Sequence, residues 1–488
     1  MFEVRLCRVV QQINRRDMAD FKTGLVALRQ RLYVLLVRLV PTERSRLLFL
    51  TVLSGALCGL AAVAFHLGIS KAEDLLMGRA LAAAGHRWMV WGIVTPALGA
   101  LLCGLGIYFL FPGAAGSGIP QVKAAYALRG GRVPLRDAVG KFVLGILQIG
   151  SGSSLGREGP TVQICAGISS WLAQLFSLST KNQRRMTAVG VAAGIAAAFN
   201  APIAAVTFTL EEIIGDLDQT MLSGVIVAAA VAAVVERTIL GEHPVFALRH
   251  VDPLVPAKSL VFYLVLGLAA ALVSIAFTDS LLGLRAWFKR FKHLPRWAHP
   301  ALGGAMTGAL AVLALYWLKQ GGISGGGYKT LVLALNGSLP VGILLALCGL
   351  KLVATVFSYS SGGAGGIFAP ALFMGGMLGG AVGFLDMAVF HHPAGTLGAF
   401  ALVGMGAVFA GIIRAPMTSV LIIFEMTGAY ELILPLMIAN MIAYSLARHW
   451  RHQPIYEALL AQDGITLPHE HPRNADHLPA RPLGETLP

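Results

Sequence analysis

Apolar residues in this chain come in long blocks rather than in alternation. Leu48–Ile69, Trp88–Phe111, Leu260–Phe277, Gly342–Phe357 and Ala399–Phe424 are runs of the length that carries a helix across a bilayer, for which about 20 apolar residues are needed. The ten-residue segments of alternating polarity that build a closed barrel do not occur, so the blocks predict helices nearly throughout. Other apolar stretches are too short to span. Ala138–Gly150 and Thr161–Phe176 are separated by the Ser- and Gly-rich run SGSSLGREGP, Ser151 to Pro160. Irregular backbone at membrane depth survives only where protein or a polar cavity covers it. The pattern predicts an all-α polytopic membrane protein with broken helices.

Composition supports that reading. Of 488 residues 56% are hydrophobic and 13% charged, about half the charged share of a soluble domain, and the mean hydropathy is +0.71. The 57 glycines suit close helix packing and interrupted helices. A net charge of +14 raises the question of nucleic acid. The basic residues, however, are dispersed through segments that flank the apolar runs (Lys123–Arg136, Lys181–Arg185, Arg285–Arg296), with about ten Lys and Arg in the first 46 residues. Such residues set topology and hold the termini on the cytoplasmic side, and no nucleic-acid partner is implied. The loop Ser70–Arg87 is then expected outside. Leu25–Val40 reads as a basic amphipathic helix on the membrane surface, and residues 461–488, rich in Pro and His, as a disordered cytoplasmic tail. Of the five cysteines none makes a CxxC pair and four lie in apolar runs, which favours packing over disulfides or metal.

The chain repeats itself. AVGVAAGIAAAFNAPIAAVTFTLEE (188–212) matches LVGMGAVFAGIIRAPMTSVLIIFEM (402–426), with Gly190, Pro202 and Glu211 each 214 residues before Gly404, Pro416 and Glu425. GKFVLGILQIGSGSSLGREGP matches LKLVATVFSYSSGGAGGIFAP, with Lys141, Ser151 and Pro160 each 210 residues before Lys351, Ser361 and Pro370. The expected organisation is a basic segment 1–46 and a transmembrane domain 47–460 with halves near 47–240 and 255–450. Duplicated transporters place substrate where the two halves meet, on discontinuous helices.

Three Gly-rich stretches end in a proline that suits a helix start: GSGIP (Gly116, Ser117, Gly118, Pro120), GREGP (Gly156, Arg157, Glu158, Gly159, Pro160) and GGIFAP (Gly366, Ile367, Phe368, Pro370). Proline is tolerated in a first helical turn because the N–H it lacks has no partner there. The same unpaired N–H groups and the helix dipole attract anions. Converging starts would hold one anion without a full positive charge, weakly enough for release. GREGP predicts a helix beginning at Pro160 with Glu158 just before it, where a carboxylate could take the anion's place or leave it when protonated.

These motifs, with Tyr456 in QPIYEALL, resemble those of the CLC family of chloride channels and chloride/proton exchangers, in order and spacing from about Leu48 to Leu460. The resemblance is to short prokaryotic members without CBS domains. It implies an inverted repeat of two helical halves, a homodimer with one pore per subunit in the inner membrane, chloride and protons as partners, and no cofactor or metal. By position, Ser117 and Tyr456 correspond to residues whose hydroxyls donate to chloride, and Ile367 and Phe368 to residues that offer backbone N–H groups. Glu158 corresponds to the gating glutamate and Glu212 to the inner proton-transfer glutamate. Serine rather than proline in GSGIP resembles chloride-selective members, not nitrate-selective ones. Gln121 and Lys123 depart from the acidic residues of many exchangers.

Exchange of chloride for protons through Glu158 and Glu212 is therefore the expected function, with a passive chloride channel as the alternative. An intramembrane enzyme is a remote one: it would need acid/base or metal groups gathered at a glycine loop, and no HExxH, paired aspartates or Ser/His arrangement lies near these. Lys141 and Lys351 either raise the potential around the pathway or serve structural pairing. Glu425 and Arg414 are expected in packing or helix-end hydrogen bonds.

Overall fold

A computed structural model describes residues 42–215, 219–241, 257–392 and 395–468. In the first half the helices are α1 Glu43–Glu73, α2 Arg87–Leu105, α3 Ile119–Leu128, α4 Leu135–Gly150, α5 Glu158–Leu175, α6 Thr180–Phe199, α7 Pro202–Phe208 and α8 Gln219–Leu240. The second half repeats that order with α9 Leu260–Arg290, α10 His299–Leu313, α11 Tyr328–Leu335, α12 Val341–Ser360, α13 Phe368–Phe390, α14 Thr396–Ile413, α15 Pro416–Thr427 and α16 Ile433–Trp450. A last short helix, α17 Ile455–Gln462, follows. Among the described residues nine helical stretches are long and apolar enough to cross a membrane, and no strand is present beyond two isolated backbone bridges.

The core is where α5 packs on α6 and α13 on α14, the same pairing in each half. Glycine makes the second contact possible. A Cβ on Gly375 would fall on the carbonyl of Gly404, and one on Gly379 on that of Phe400. Such small faces let helix backbones touch where lipid offers no hydrophobic drive for association. The window that defines α14 as a span is wholly buried, so this helix meets protein on all sides.

The expected single run Ala399–Phe424 is in fact two helices. Arg414 takes a left-handed conformation (φ 68) and caps α14, and Pro416 opens α15. Pro416 has no N–H to continue the helix and disfavours helical geometry in the residue before it. The first half breaks identically: Asn200 (φ 53) caps α6 and Pro202 opens α7. The two short helices then cap each other's starts across the halves. Glu211 accepts from the N–H groups of Met417 (3.1 Å) and Thr418 (2.8 Å), and Glu425 from those of Ile203 (3.0 Å) and Ala204 (2.7 Å). Arg414 donates to the carbonyls of Ala447, Arg451 and His452. Both Glu425 and Arg414 thus serve helix ends, as expected.

Other expectations shift at their edges. Ser70–Arg87 is not a plain loop: the first helical stretch runs on to Leu81 through a wider π turn at Asp74–Gly78. The tail is anchored where it begins. Residues 461–462 complete α17, and Asp463 pairs with Arg285 (2.8 Å) and Lys289 (2.6 Å). Residues 25–40 and 469–488 lie outside the described residues. Cys58, Cys103, Cys165 and Cys348 are buried and unbridged, as packing cysteines should be.

Candidate functional site

The three glycine-rich helix starts meet. Gly116 donates to the carbonyl of Gly363 (2.9 Å) and accepts from Gly365 (3.1 Å), while Gly156 and Gly366 exchange both backbone hydrogen bonds at 2.7 Å. A loop that satisfies its polar backbone against other loops survives inside a membrane protein. Gly159 sits at the crossing, since a Cβ there would strike the Ser117 side chain and come within 3.4 Å of the Gly366 Cα.

Each helix opens close to its proline. α5 begins at Glu158, two residues before the expected Pro160, and α13 at Phe368, two before Pro370. The proline therefore stands third in both, still inside the turn whose N–H groups lack helical partners. The first intrahelical bonds run from Thr161 to Arg157 and from Ala371 to Ile367. The N–H groups of Glu158, Gly159, Phe368 and Ala369 precede them. Neither helix has a side-chain cap, unlike the starts of α7 and α15, which carboxylates fill. α3 differs: Gly118 takes φ 98, a conformation open to glycine, and its N–H is accepted by Gln121 Oε1 at 3.0 Å. Gln121 also donates to the carbonyl of Ala115 (2.9 Å), so this departure from the family pattern stiffens the loop.

Ser117 and Tyr456 are fully buried, and neither hydroxyl has a hydrogen-bond partner beyond the other of the pair. Buried hydroxyls so short of partners are uncommon and call for a reason. The two hydroxyls are neighbours, brought together by the packing of α17 on α3. The Phe368 ring is fixed edge-on against Phe208 (centroids 5.4 Å) and Phe409 (4.9 Å). Uncapped N–H groups and idle O–H groups around one interior place favour a small anion over a cation. Among the described residues no three His, Cys, Asp or Glu side chains are grouped to hold a metal.

Glu158 is buried beside this place. One carboxylate oxygen accepts from the Tyr328 hydroxyl and the other is unpartnered. A Cβ on Gly156 would fall on that second oxygen and against the Ala369 N–H, so this glycine leaves the carboxylate its seat near the start of α13. Arg157 turns away, its guanidinium over the Tyr328 ring at 5.8 Å.

Glu212 stands apart, on a π turn Thr209–Ile214 that ends α7. It is 5% exposed and bonded to Lys123 Nζ (2.8 Å), which also reaches Glu457 (3.1 Å). The lysines left open by the sequence support loops. Lys141 donates to the carbonyl of Gly116 (2.7 Å), and Lys351 to those of Gly322 (2.9 Å), Ile323 (3.0 Å) and Gly325 (2.6 Å). The loop held by Lys351, GGISGGGY, leads into α11 and is the second half's counterpart of the segment ending in GSGIP. Sequence reasoning missed it because no proline marks the helix start. Its signal was the glycine pattern: Gly325 and Gly327 repeat the positive φ of Gly116 and Gly118.

Fold and site first define a class: a polytopic membrane protein of two like halves whose broken helices meet in its interior. The description "voltage gated chloride channel" belongs to the family whose pattern matches residues 99–448, and the chain is a member of this family, the CLC family. It is 34% identical over 443 residues to the H(+)/Cl(-) exchange transporter ClcA of Salmonella paratyphi A, covering 87% of this chain and 90% of that one. The crystal structure of a slow cyanobacterial Cl-/H+ antiporter is similar with a TM-score of 0.78 at 27% identity, over 86% of this chain and 97% of that one. A eukaryotic CLC transporter shares the fold with a TM-score of 0.70 at 22% identity, over 86% and 74% of the two chains.

Proposed function

We propose that the protein exchanges chloride for protons across a prokaryotic inner membrane, with Glu158 as the outer gate and Glu212 as the inner proton relay. The observation that carries this reading is the meeting of uncapped helix starts with two idle hydroxyls, Ser117 and Tyr456, beside one buried carboxylate. Chloride takes hydrogen bonds from Ser117, Tyr456 and the N–H groups at Ile367 and Phe368. Glu158, as a carboxylate, competes for the same donors; protonated, it needs them less and yields. Anion passage and proton transfer then share one side chain, which is the physical basis of coupling. The relatives named as exchangers support the reading. Both termini face the cytoplasm by the distribution of basic residues.

The working unit is a homodimer. α7 and α15 are too short to cross the bilayer and expose Ile203 (55%) and Met417 (63%) at the place where the two halves cap each other. A second copy would cover that face.

A passive channel is favoured by one observation: Glu212 is ion-paired to Lys123 rather than free. Reconstituted vesicles separate the two. An outward chloride gradient should drive protons uphill into the vesicles, and flux that reverses at the chloride potential alone decides for the channel.

Selectivity should follow Ser117. Its N–H makes only a long contact, 3.4 Å, to the Tyr359 hydroxyl, so proline there loses little backbone bonding while removing the hydroxyl. Ser117→Pro is expected to shift anion competition toward nitrate by about fivefold, the equivalent of a hydrogen bond of roughly 1 kcal/mol. An unchanged preference places selectivity elsewhere.

A further inference from the structure

Tyr328 has no role in the reading above, yet it is the partner of the gating carboxylate. It opens α11 after the loop 321–327, and its hydroxyl donates to Glu158 Oε1. Three features hold it in place. Lys351 ties the loop through three carbonyls, the N–H of Gly325 donates to the carbonyl of Ser153 (3.1 Å), and the Arg157 guanidinium lies over the ring. The ring therefore reaches Glu158 from a rigid support, not from a mobile loop.

On its other side Tyr328 borders a cavity of about 370 Å³, walled also by His66, Glu73, Asp74, Arg157 and Lys329. Glu158 does not line this cavity. Tyr328 and Arg157 therefore stand between the cavity and the carboxylate, one contributing the hydrogen bond and the other the lid on its ring. A phenol donating to a carboxylate is a charge-assisted bond, stronger than a neutral one. It stabilises Glu158 where it sits, beside Gly156 and the start of α13, and the carboxylate must break it to move.

We propose that Tyr328 is a positioning residue that latches Glu158 shut from the side of this cavity and so limits how often the gate opens. The proposal rests on the reading of Glu158 as the gate. Removing the hydroxyl alone should let the carboxylate leave its seat more often, without altering what it carries.

The test uses the full chain in proteoliposomes with chloride and proton fluxes recorded together. Tyr328→Phe is expected to raise chloride turnover about tenfold, the effect of one hydrogen bond to a charged group, with the proton-to-chloride ratio unchanged. The same substitution added to Glu158→Ala should do nothing, because no carboxylate remains to hold. A role in packing alone would carry its effect into that background, and flux through the double variant also shows that the phenylalanine chain folds. Wild-type turnover in Tyr328→Phe, a fall in turnover, or an equal effect in both backgrounds overturns the latch. Parent protein that moves chloride with no protons instead overturns the exchange reading, so the two failures are distinguishable.

Discussion

Glu158→Ala will conduct chloride and carry no protons. The carboxylate is buried among uncapped helix starts, close to the donors that would hold an anion, and one of its oxygens has no partner. An ionised group left so inside a membrane is costly, by about 2.5–3.5 kcal/mol on insertion scales. Alanine removes both the competitor for the anion's donors and the acid placed to bring a proton there. Chloride-driven proton uptake should fall to that of protein-free vesicles while chloride efflux persists. Binding should respond as well. A seat blocked nine-tenths of the time weakens apparent affinity about tenfold, so calorimetric chloride affinity should rise by about that factor. Full coupling in the alanine variant would remove Glu158 from the gate.

How far this site was legible follows from what marks a helix start in sequence. GREGP and GGIFAP carry a proline within three residues of the true start, and their 210-residue repeat removed the ambiguity of Gly/Ala-rich sequence. Boundaries were less legible. The α5 start moved two residues because a first-turn proline fits any of the positions without helical N–H partners. The run Ala399–Phe424 was read as one span because hydropathy does not register a left-handed Arg414; the matching Asn-Ala-Pro and Arg-Ala-Pro triplets at 200–202 and 414–416 were the signal left unread. Side-chain partners were least legible. Tyr328 meets Glu158 from 170 residues away, and Lys123 reaches Glu457 from 334. Nothing local in the chain encodes either meeting. Even so, Glu457 stood as a charge beside Tyr456, and GGISGGGY matched the glycine spacing of the first half.

Glu212→Gln is the second large effect: proton transport lost, chloride transport kept. Glutamine fills the same volume and can accept from Lys123, but it cannot take up a proton and pass it on. The fold should survive the change because Lys123 keeps Glu457 at 3.1 Å. Breaking a fully buried pair costs about 3–5 kcal/mol when the surviving charge is stranded. Here Lys123 retains a carboxylate that is 25% exposed, so the loss belongs nearer the roughly 1 kcal/mol of a solvent-reached pair. Lys123 faces two carboxylates, Glu212 and Glu457, so a proton taken up by one of them would still leave the ammonium a partner in the other. Chloride flux near that of the parent, with proton flux at the vesicle background, is the expected record. Proton flux equal to the parent's would take Glu212 out of the relay and leave Glu457, the more exposed of the two carboxylates, as the inner acceptor to test next.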